Sequence, residues 1–248
     1  LMDADEWLDY APSFQLPHLT KDVYGMIYRS GDIEFQRALL LSCRIDWRWE
    51  GVIHEETIPS QKASVGFLSG IRSICTQEGS RSKDPEKFRK DLRMLEDALV
   101  KDPNNPRHVF YLAEAHLILD ELPLALECYQ QRAKMGLPAQ EVFWSLYQIG
   151  RLKERLGEPS TSFIPSYCAA FQYRPSRVEP LFFLINHYLG AGCGYLAYIV
   201  AKDAIEIKPP SDAHFVEKWM YEWGVFLQFV KSAYLVEKFQ EAKTAARK

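Results

Sequence analysis

The feature that most constrains this chain is a proline that recurs at almost equal intervals through its second half. Pro103, Pro138, Pro175 and Pro209 are spaced 35, 37 and 34 residues apart. Between these prolines, apolar residues recur every three or four positions, which is the period of an amphipathic α-helix. Each interval has room for two helices. The pattern therefore predicts helical pairs that stack and bury their apolar faces against one another.

A unit of about 34 residues with two amphipathic helices is typical of the tetratricopeptide solenoid. In the unit at 106–137, Ala125 and Tyr129 form the small–aromatic pair of the second helix, where a small residue lets two helices approach closely. Two positions depart from the usual pattern. His116 stands where an aromatic residue is usual, and Arg132 stands where alanine is usual. The spacing nevertheless predicts three and a half repeats.

The C-terminal region predicts a further helical pair, with one helix at 215–227 and the other at 233–246. Upstream of this pair, residues 180–201 contain no Asp, Glu, Lys or Arg and are about as long as a membrane-spanning helix. The glycine-rich run at 190–194 in the middle is typical of a turn. We therefore expect a buried helical hairpin here and no membrane span.

The first part of the chain follows a different pattern. Residues 22–28 and 35–41 are rich in β-branched and aromatic residues, and the turn residues at 30–32 lie between them. The polar stretch at 76–85 lacks large apolar residues. The sequence thus predicts a strand-rich domain at 1–75, a linker at 76–85 and helical repeats at 86–248.

Composition excludes several classes of protein. The chain is 47% hydrophobic and 25% charged, as is usual for a soluble globular protein. A net charge of −3 provides no general attraction to nucleic acid. The five cysteines are scattered and odd in number, which argues against a disulfide framework or a zinc site. We expect a cytoplasmic protein.

Two groups of residues in the first part are candidates for chemistry. Asp3 and Asp5 are two positions apart, and paired carboxylates suit a Mg²⁺ or Mn²⁺ ion that shares oxygen ligands with phosphates. A solvated turn is the other explanation of these acids. His54 and Glu55 are candidates for a third metal ligand and a general base, although a lone histidine is more often a surface or packed residue.

Two tryptophans precede His54 in the chain. Trp47 and Trp49 alternate with polar residues, as in a half-buried strand. Flat aromatic faces stack well on sugars, so both side chains are candidates for binding an acceptor substrate. Both would fit equally well in a hydrophobic core.

The order of these motifs resembles a family 2 glycosyltransferase of the GT-A type. The resemblance rests on Leu1–Glu6, on an arginine-containing strand at 37–40 and on Trp49–Glu55. The helical part resembles the tetratricopeptide tail of bacterial-type glycosyltransferases with this architecture. The resemblance implies an α/β fragment, the second half of a GT-A domain, at 1–75, followed by an all-α tetratricopeptide-repeat solenoid.

The resemblance also implies roles for individual residues. Asp5 and His54 would hold a divalent cation, Mn²⁺ or Mg²⁺, and Asp3 would contact the nucleotide-sugar donor or the metal. Glu55 would be the catalytic base that activates a hydroxyl of a protein or glycan acceptor. The cation would neutralise the charge that grows on the leaving diphosphate. The tail would recruit the acceptor or a partner protein.

Three interpretations of the function remain open. In the glycosyltransferase family, nucleotide-binding strands precede the Asp-x-Asp motif, so we expect a hexosyltransferase in the complete protein and little activity from these 248 residues alone. The first alternative is a non-catalytic tetratricopeptide scaffold that binds a protein partner and carries a glycosyltransferase remnant. The second is a metal-dependent hydrolase built on Asp3, Asp5 and His54.

Overall fold

The computed structural model describes residues 2–31, 33–76, 78–79, 83–210 and 215–247. The chain divides into two compact units, Leu1–Lys101 and Asp102–Lys248. In their described parts, the first unit contains strands and one helix, α1 (Lys87–Lys101), and the second contains helices joined by loops.

A four-stranded sheet organises the first unit. The strands of this unit are β1 (Glu6–Tyr10), β2 (Val23–Ser30), β3 (Ile33–Leu41), β4 (Trp47–Glu50), β5 (Glu56–Pro59) and β6 (Val65–Cys75). The order in the large sheet is β1-β6-β2-β3, in which β2 and β6 are parallel and the other neighbours antiparallel. Strands β4 and β5 form a separate antiparallel pair.

The hairpin of β2 and β3 confirms the strands predicted at 22–28 and 35–41. Gly31 has a φ of 59° in the turn, a conformation that costs glycine little. Asp32, which was also predicted in this turn, lies outside the described residues. The core of the sheet is a small cluster of buried side chains: Tyr24, Met26, Leu39 and Leu68.

The prediction that residues 1–75 form an α/β fragment is wrong. Helices cover both faces of the sheet in an α/β domain, so its strands are buried on both sides. Here the described residues before Thr76 form strands and loops without a helix. Strand β6 buries Leu68 but leaves Val65 70% exposed and Phe67 45% exposed. Short strands with apolar residues occur in every kind of sheet, so the motifs alone could not identify the domain.

Helices that follow the predicted repeat make up the second unit. They are α2 (Pro106–Ile118), α3 (Leu122–Arg132), α4 (Ala139–Arg155), α5 (Ser160–Tyr173), α6 (Glu179–Gly190), α7 (Gly194–Ala204), α8 (Val225–Leu235) and α9 (Phe239–Ala245). They pack as successive pairs, α2 with α3, α4 with α5 and α6 with α7. Helix α6 also contacts α4 and α8. The first helices α4, α6 and α8 therefore lie side by side.

The core of this unit matches the sequence pattern. Ala125 and Tyr129 are fully buried in the α2–α3 pair, as the small–aromatic pattern predicts. The hairpin expected at 180–201 is the α6–α7 pair. In the described residues, no helix has the length and apolarity that a membrane crossing requires.

The C-terminal pair differs from its predicted boundaries. Phe215–Glu217 is not helical, and a π-helical turn, Met220–Gly224, leads into α8. Helix α8 continues to Leu235, and Glu237 follows it with a φ of 60°, which ends the helix. The apolar periodicity continues through both places, so it could not show where the backbone leaves the helix.

Candidate functional site

Asp3 and Asp5 lie just before β1 in the four-stranded sheet. The exposed Asp3 carboxylate is 3.6 Å from the Arg37 guanidinium. The Asp5 carboxylate accepts a hydrogen bond from the backbone N–H of Gly79 at 3.0 Å. The Asp5 backbone carbonyl accepts another from the N–H of Thr76 at 3.0 Å. Asp5 thereby fastens the chain that leaves β6 to the start of β1.

His54 and Glu55 lie in the connection between β4 and β5, in the two-stranded sheet. Both residues are exposed, and His54 has a φ of 50°. Within the part of the chain that the structure describes, no three or more His, Cys, Asp and Glu residues are grouped so that they could hold a metal ion. Asp3 and Asp5 therefore do not form such a group with His54. The metal-binding and catalytic roles of these residues stay predictions.

The two candidate tryptophans have different surroundings on β4. The Trp47 indole N–H donates a hydrogen bond to the carbonyl of Ser42 at 2.9 Å, and its ring is half-buried. The Trp49 side chain is 61% exposed. Trp47 therefore packs as a strand residue, and acceptor binding by either tryptophan stays a prediction.

The helical unit contains a partly buried carboxylate that the sequence reasoning missed. Glu114 on α2 accepts hydrogen bonds from the Tyr129 hydroxyl on α3 and from the Trp144 indole on α4, the latter at 2.7 Å. Burial raises the pKa of Glu114 above its ordinary value. The contacts connect three helices. In the sequence Glu114 looks like any acid on a helix, and no local signal marks its partners.

Buried ion pairs lie where the second helix of one repeat meets the first helix of the next. Arg132 at the end of α3 pairs with Glu141 of α4 at 2.9 Å. Arg177, just before α6, pairs with Glu179 at 2.7 Å, and both side chains are fully buried. The Arg177 guanidinium also lies 4.2 Å from the centroid of the Phe143 ring. A buried pair keeps each charge compensated away from water.

The segment Phe215–Glu217, which we call the internal segment, packs onto the first helices. The ring of Phe215 lies 5.3 Å from that of Phe110 on α2 and 5.2 Å from that of Trp144 on α4. The backbone carbonyl of Phe215 accepts a hydrogen bond from the Arg177 guanidinium. Phe215 has a φ of 60°, which is uncommon for a bulky residue.

Glu217 completes the contacts of the internal segment. Its carboxylate accepts a hydrogen bond from the Tyr147 hydroxyl of α4 at 2.8 Å. Its backbone N–H donates to the Glu179 carboxylate at 3.3 Å. The same hydroxyl of Tyr147 accepts a hydrogen bond from Arg151 at 3.0 Å. Burial raises the pKa of Glu217, against the lowering effect of the Tyr147 hydrogen bond.

An open groove lies between α6 and α8, further along the first helices. Its cavity volume is about 570 Å³. Among the described residues that line it, Lys231 carries the only charge. The lining residues are Asn186, Leu189, Gln228, Val230, Lys231, Tyr234 and Leu235. The groove, which we call the α6–α8 groove, thus combines apolar surface, two amides and one cation.

Comparison with known proteins supports the helical part alone. No protein-family model matches the chain, and no curated protein matches it. A crystal structure of MamA, a tetratricopeptide-repeat protein, superposes with a TM-score of 0.51 at 15% identity, over 69% of this chain and 84% of that one. MamA from Desulfovibrio magneticus RS-1 gives 0.47 at 16% identity, over 65% and 86%.

YrrB, described as a tetratricopeptide protein with an unusual peptide-binding site, gives a TM-score of 0.46 at 12% identity, over 64% of this chain and 75% of that one. Nothing in these comparisons supports a glycosyltransferase, so the nucleotide-sugar donor expected from the sequence has no support. At such low identity the likeness to MamA concerns the fold and nothing else. The helical repeats of this chain have a tetratricopeptide-type fold.

Proposed function

We propose that this chain is an interaction scaffold whose helical unit binds an extended segment of a partner protein in the α6–α8 groove. The observation that carries the proposal is the groove itself, an open cavity of about 570 Å³ lined by α6 and α8. Stacked helical repeats create extended surfaces of this kind, which many repeat proteins use for binding.

The chemistry of the groove favours a peptide with both apolar and acidic side chains. Leu189, Tyr234 and Leu235 offer apolar surface, and the last two are 65% and 60% exposed. The half-buried side-chain amide of Asn186 can donate and accept hydrogen bonds, which suits the free N–H and C=O groups of an extended backbone. The groove therefore has partners for the peptide side chains and for its backbone.

The charge of the groove decides which peptides fit best. Lys231 is exposed, and the other described lining residues are neutral. A carboxylate near this ammonium group is attracted and a basic residue is repelled, which gives specificity more than raw affinity. We therefore expect the partner segment to carry an acidic residue beside its apolar residues.

The experiment is selection of peptides from a random display library against the full chain, followed by affinity measurements on variants. We expect enriched peptides to contain apolar and acidic residues. Lys231→Glu should lower their affinity about three- to tenfold, because an exposed ion pair is worth up to ~1 kcal/mol and reversal adds repulsion. Leu189→Asp should lower it further, because it places a charge against apolar contacts.

The matched control is Lys134→Glu, which reverses an exposed lysine in the loop between α3 and α4, outside the groove. It should leave the affinity of the selected peptides unchanged. If Lys231→Glu and Lys134→Glu have the same effect, the peptides do not bind in the α6–α8 groove. If no peptide is enriched over the library, the scaffold does not bind extended segments there.

A further inference from the structure

The internal segment belongs to a connection that is longer than the repeat needs. The chain passes from α3 to α4 through residues 133–138, and from α5 to α6 through 174–178. Helix α7 ends at Ala204, and the next helical residue in the part of the chain that the structure describes is Lys218. Short turns are enough to join neighbouring helices of a stack. The additional length allows the internal segment to reach α2 and α4.

Helices from different repeats hold the internal segment in the manner of a bound peptide. The ring of Phe215 contacts Phe110 on α2 and Trp144 on α4, at 5.3 and 5.2 Å between ring centroids. Aromatic rings at such distances attract one another beyond the burial of their area. This part of the site therefore selects an aromatic side chain.

The backbone of the internal segment is held independently of its side chains. The buried Arg177 donates to the carbonyl of Phe215, and the buried Glu179 accepts from the N–H of Glu217 at 3.3 Å. A partner segment has the same carbonyl and N–H groups to offer. When a protein binds a peptide in this way, hydrogen bonds to the peptide backbone provide affinity, and pockets for its side chains provide specificity.

The acidic end of the internal segment has its own partner. The Tyr147 hydroxyl donates to the Glu217 carboxylate at 2.8 Å and accepts from Arg151 at 3.0 Å, so the nearby guanidinium orients the hydroxyl toward the acid. The Arg151 guanidinium stays close because it lies 3.9 Å from the centroid of the Phe183 ring. The site thus combines a place for an aromatic ring with a place for a carboxylate.

We infer that this site recognises a segment of a partner protein with an aromatic residue followed two positions later by a carboxylate, and that Phe215–Glu217 is an internal ligand that occupies it. The site is distinct from the α6–α8 groove and does not depend on the function proposed for that groove. A tethered ligand acts at an effective concentration in the millimolar range for a short linker. The apparent dissociation constant of a competing partner is therefore its intrinsic constant divided by the fraction of molecules in which the internal segment has left the site.

The test measures binding of a fluorescein-labelled peptide with the sequence of residues 213–218 to the full chain by anisotropy. The double variant Phe215→Ala/Glu217→Ala removes both side chains of the internal ligand. We expect the peptide to bind this variant at least tenfold more tightly than the wild-type chain. The control variant Phe67→Ala/Glu222→Ala makes the same changes at exposed positions and should behave as wild type.

A second comparison tests the carboxylate position. A peptide with glutamine in place of Glu217 should bind the double variant several-fold more weakly than the parent peptide. In a chain that also carries Tyr147→Phe, the two peptides should bind equally, since the hydroxyl that distinguishes them is gone. A nonspecific apolar surface would not produce this pattern.

Two outcomes would overturn the inference. One is equal binding of the peptide to the wild-type chain and to the double variant. The other is a double variant that keeps its helical circular dichroism but binds no peptide. If the double variant loses its helical signal, Glu217→Gln alone replaces it, with Glu222→Gln as control. Peptide affinity should still be higher for Glu217→Gln than for wild type, and equal affinities would refute the inference.

Discussion

Loss of Glu141 should destabilise the helical unit far more than loss of the whole ion pair it forms with Arg132. The fully buried Arg132 donates to the Glu141 carboxylate through Nε at 3.2 Å and Nη2 at 2.9 Å, and to the carbonyl of Gly136 through Nη1 at 2.8 Å. Without Glu141 the guanidinium stays buried beside one neutral acceptor. Breaking a buried pair in this way costs about 3–5 kcal/mol. We expect Glu141→Leu to lower the free energy of unfolding by this amount.

Replacement of both partners should restore most of the stability. Arg132→Met/Glu141→Leu substitutes apolar side chains of similar volume, and such exchanges are often neutral or stabilising. The carbonyl of Gly136 loses a donor, but Gly136 is exposed and water can replace that hydrogen bond. We expect the double variant to lie within ~1 kcal/mol of wild type. The two single substitutions are therefore strongly coupled, as neighbouring residues of one network are.

Urea unfolding followed by far-ultraviolet circular dichroism measures these differences. With a slope of ~2 kcal/mol per M, Glu141→Leu should lower the midpoint by roughly 1.5–2.5 M. Arg155→Ala is the control, because Arg155 pairs with Asp120 at 2.8 Å on the surface, with the two side chains 43% and 77% exposed. An exposed pair contributes at most ~1 kcal/mol. If Glu141→Leu costs no more than Arg155→Ala, or the single effects simply add in the double variant, the reasoning is wrong.

Three further predictions concern packing and pH. Ala125→Trp should lower the free energy of unfolding by ~1–3 kcal/mol, because Ala125 is fully buried between α2 and α3 and leaves no room for an indole. An unchanged urea midpoint would contradict this. Burial raises the pKa of Glu114 above 4.5, so its contribution to stability is fully present below about pH 4.5 and is lost as the pH rises through the folded-state pKa. Urea midpoints measured from pH 4 to 8 should therefore depend less on pH in Glu114→Gln than in wild type. If the two plots of midpoint against pH are parallel, burial does not raise the pKa of Glu114. Gly150→Ala should lower the free energy of unfolding by ~1–3 kcal/mol, because a Cβ there would lie 2.6 Å from the Tyr167 ring. Gly190→Ala is the control, since a Cβ there would have nothing within 4 Å. Equal effects of the two substitutions would contradict this packing.

The helical repeats could be predicted because their signal is local. The apolar period, the prolines at helix ends and the small–aromatic pair of Ala125 and Tyr129 each depend on residues within one repeat. A helix buries one stripe of its surface, and the sequence shows that stripe directly. The hairpin of β2 and β3 was predictable for the same reason, since its strands are joined by a short turn.

The first unit was misread because its motifs are short. An apolar run before Asp3 and Asp5, and tryptophans before His54, occur with any kind of sheet. Whether a sheet belongs to an α/β domain depends on which strands pair and what covers its faces, and pairing is a long-range property. In the structure β6 pairs with both β1 and β2, two strands far from it in the chain.

By itself the sequence determined that the second half forms stacked helical pairs, and it identified Arg132 as a departure from the repeat pattern. Only the tertiary structure supplied Glu141 as the partner of Arg132, the two donors of Glu114 and the position of Phe215 against α2 and α4. The physical reason is the distance along the chain over which each interaction acts. Helical periodicity arises between residues three or four positions apart, whereas a buried charge or a docked ring is stabilised by residues that only folding brings close.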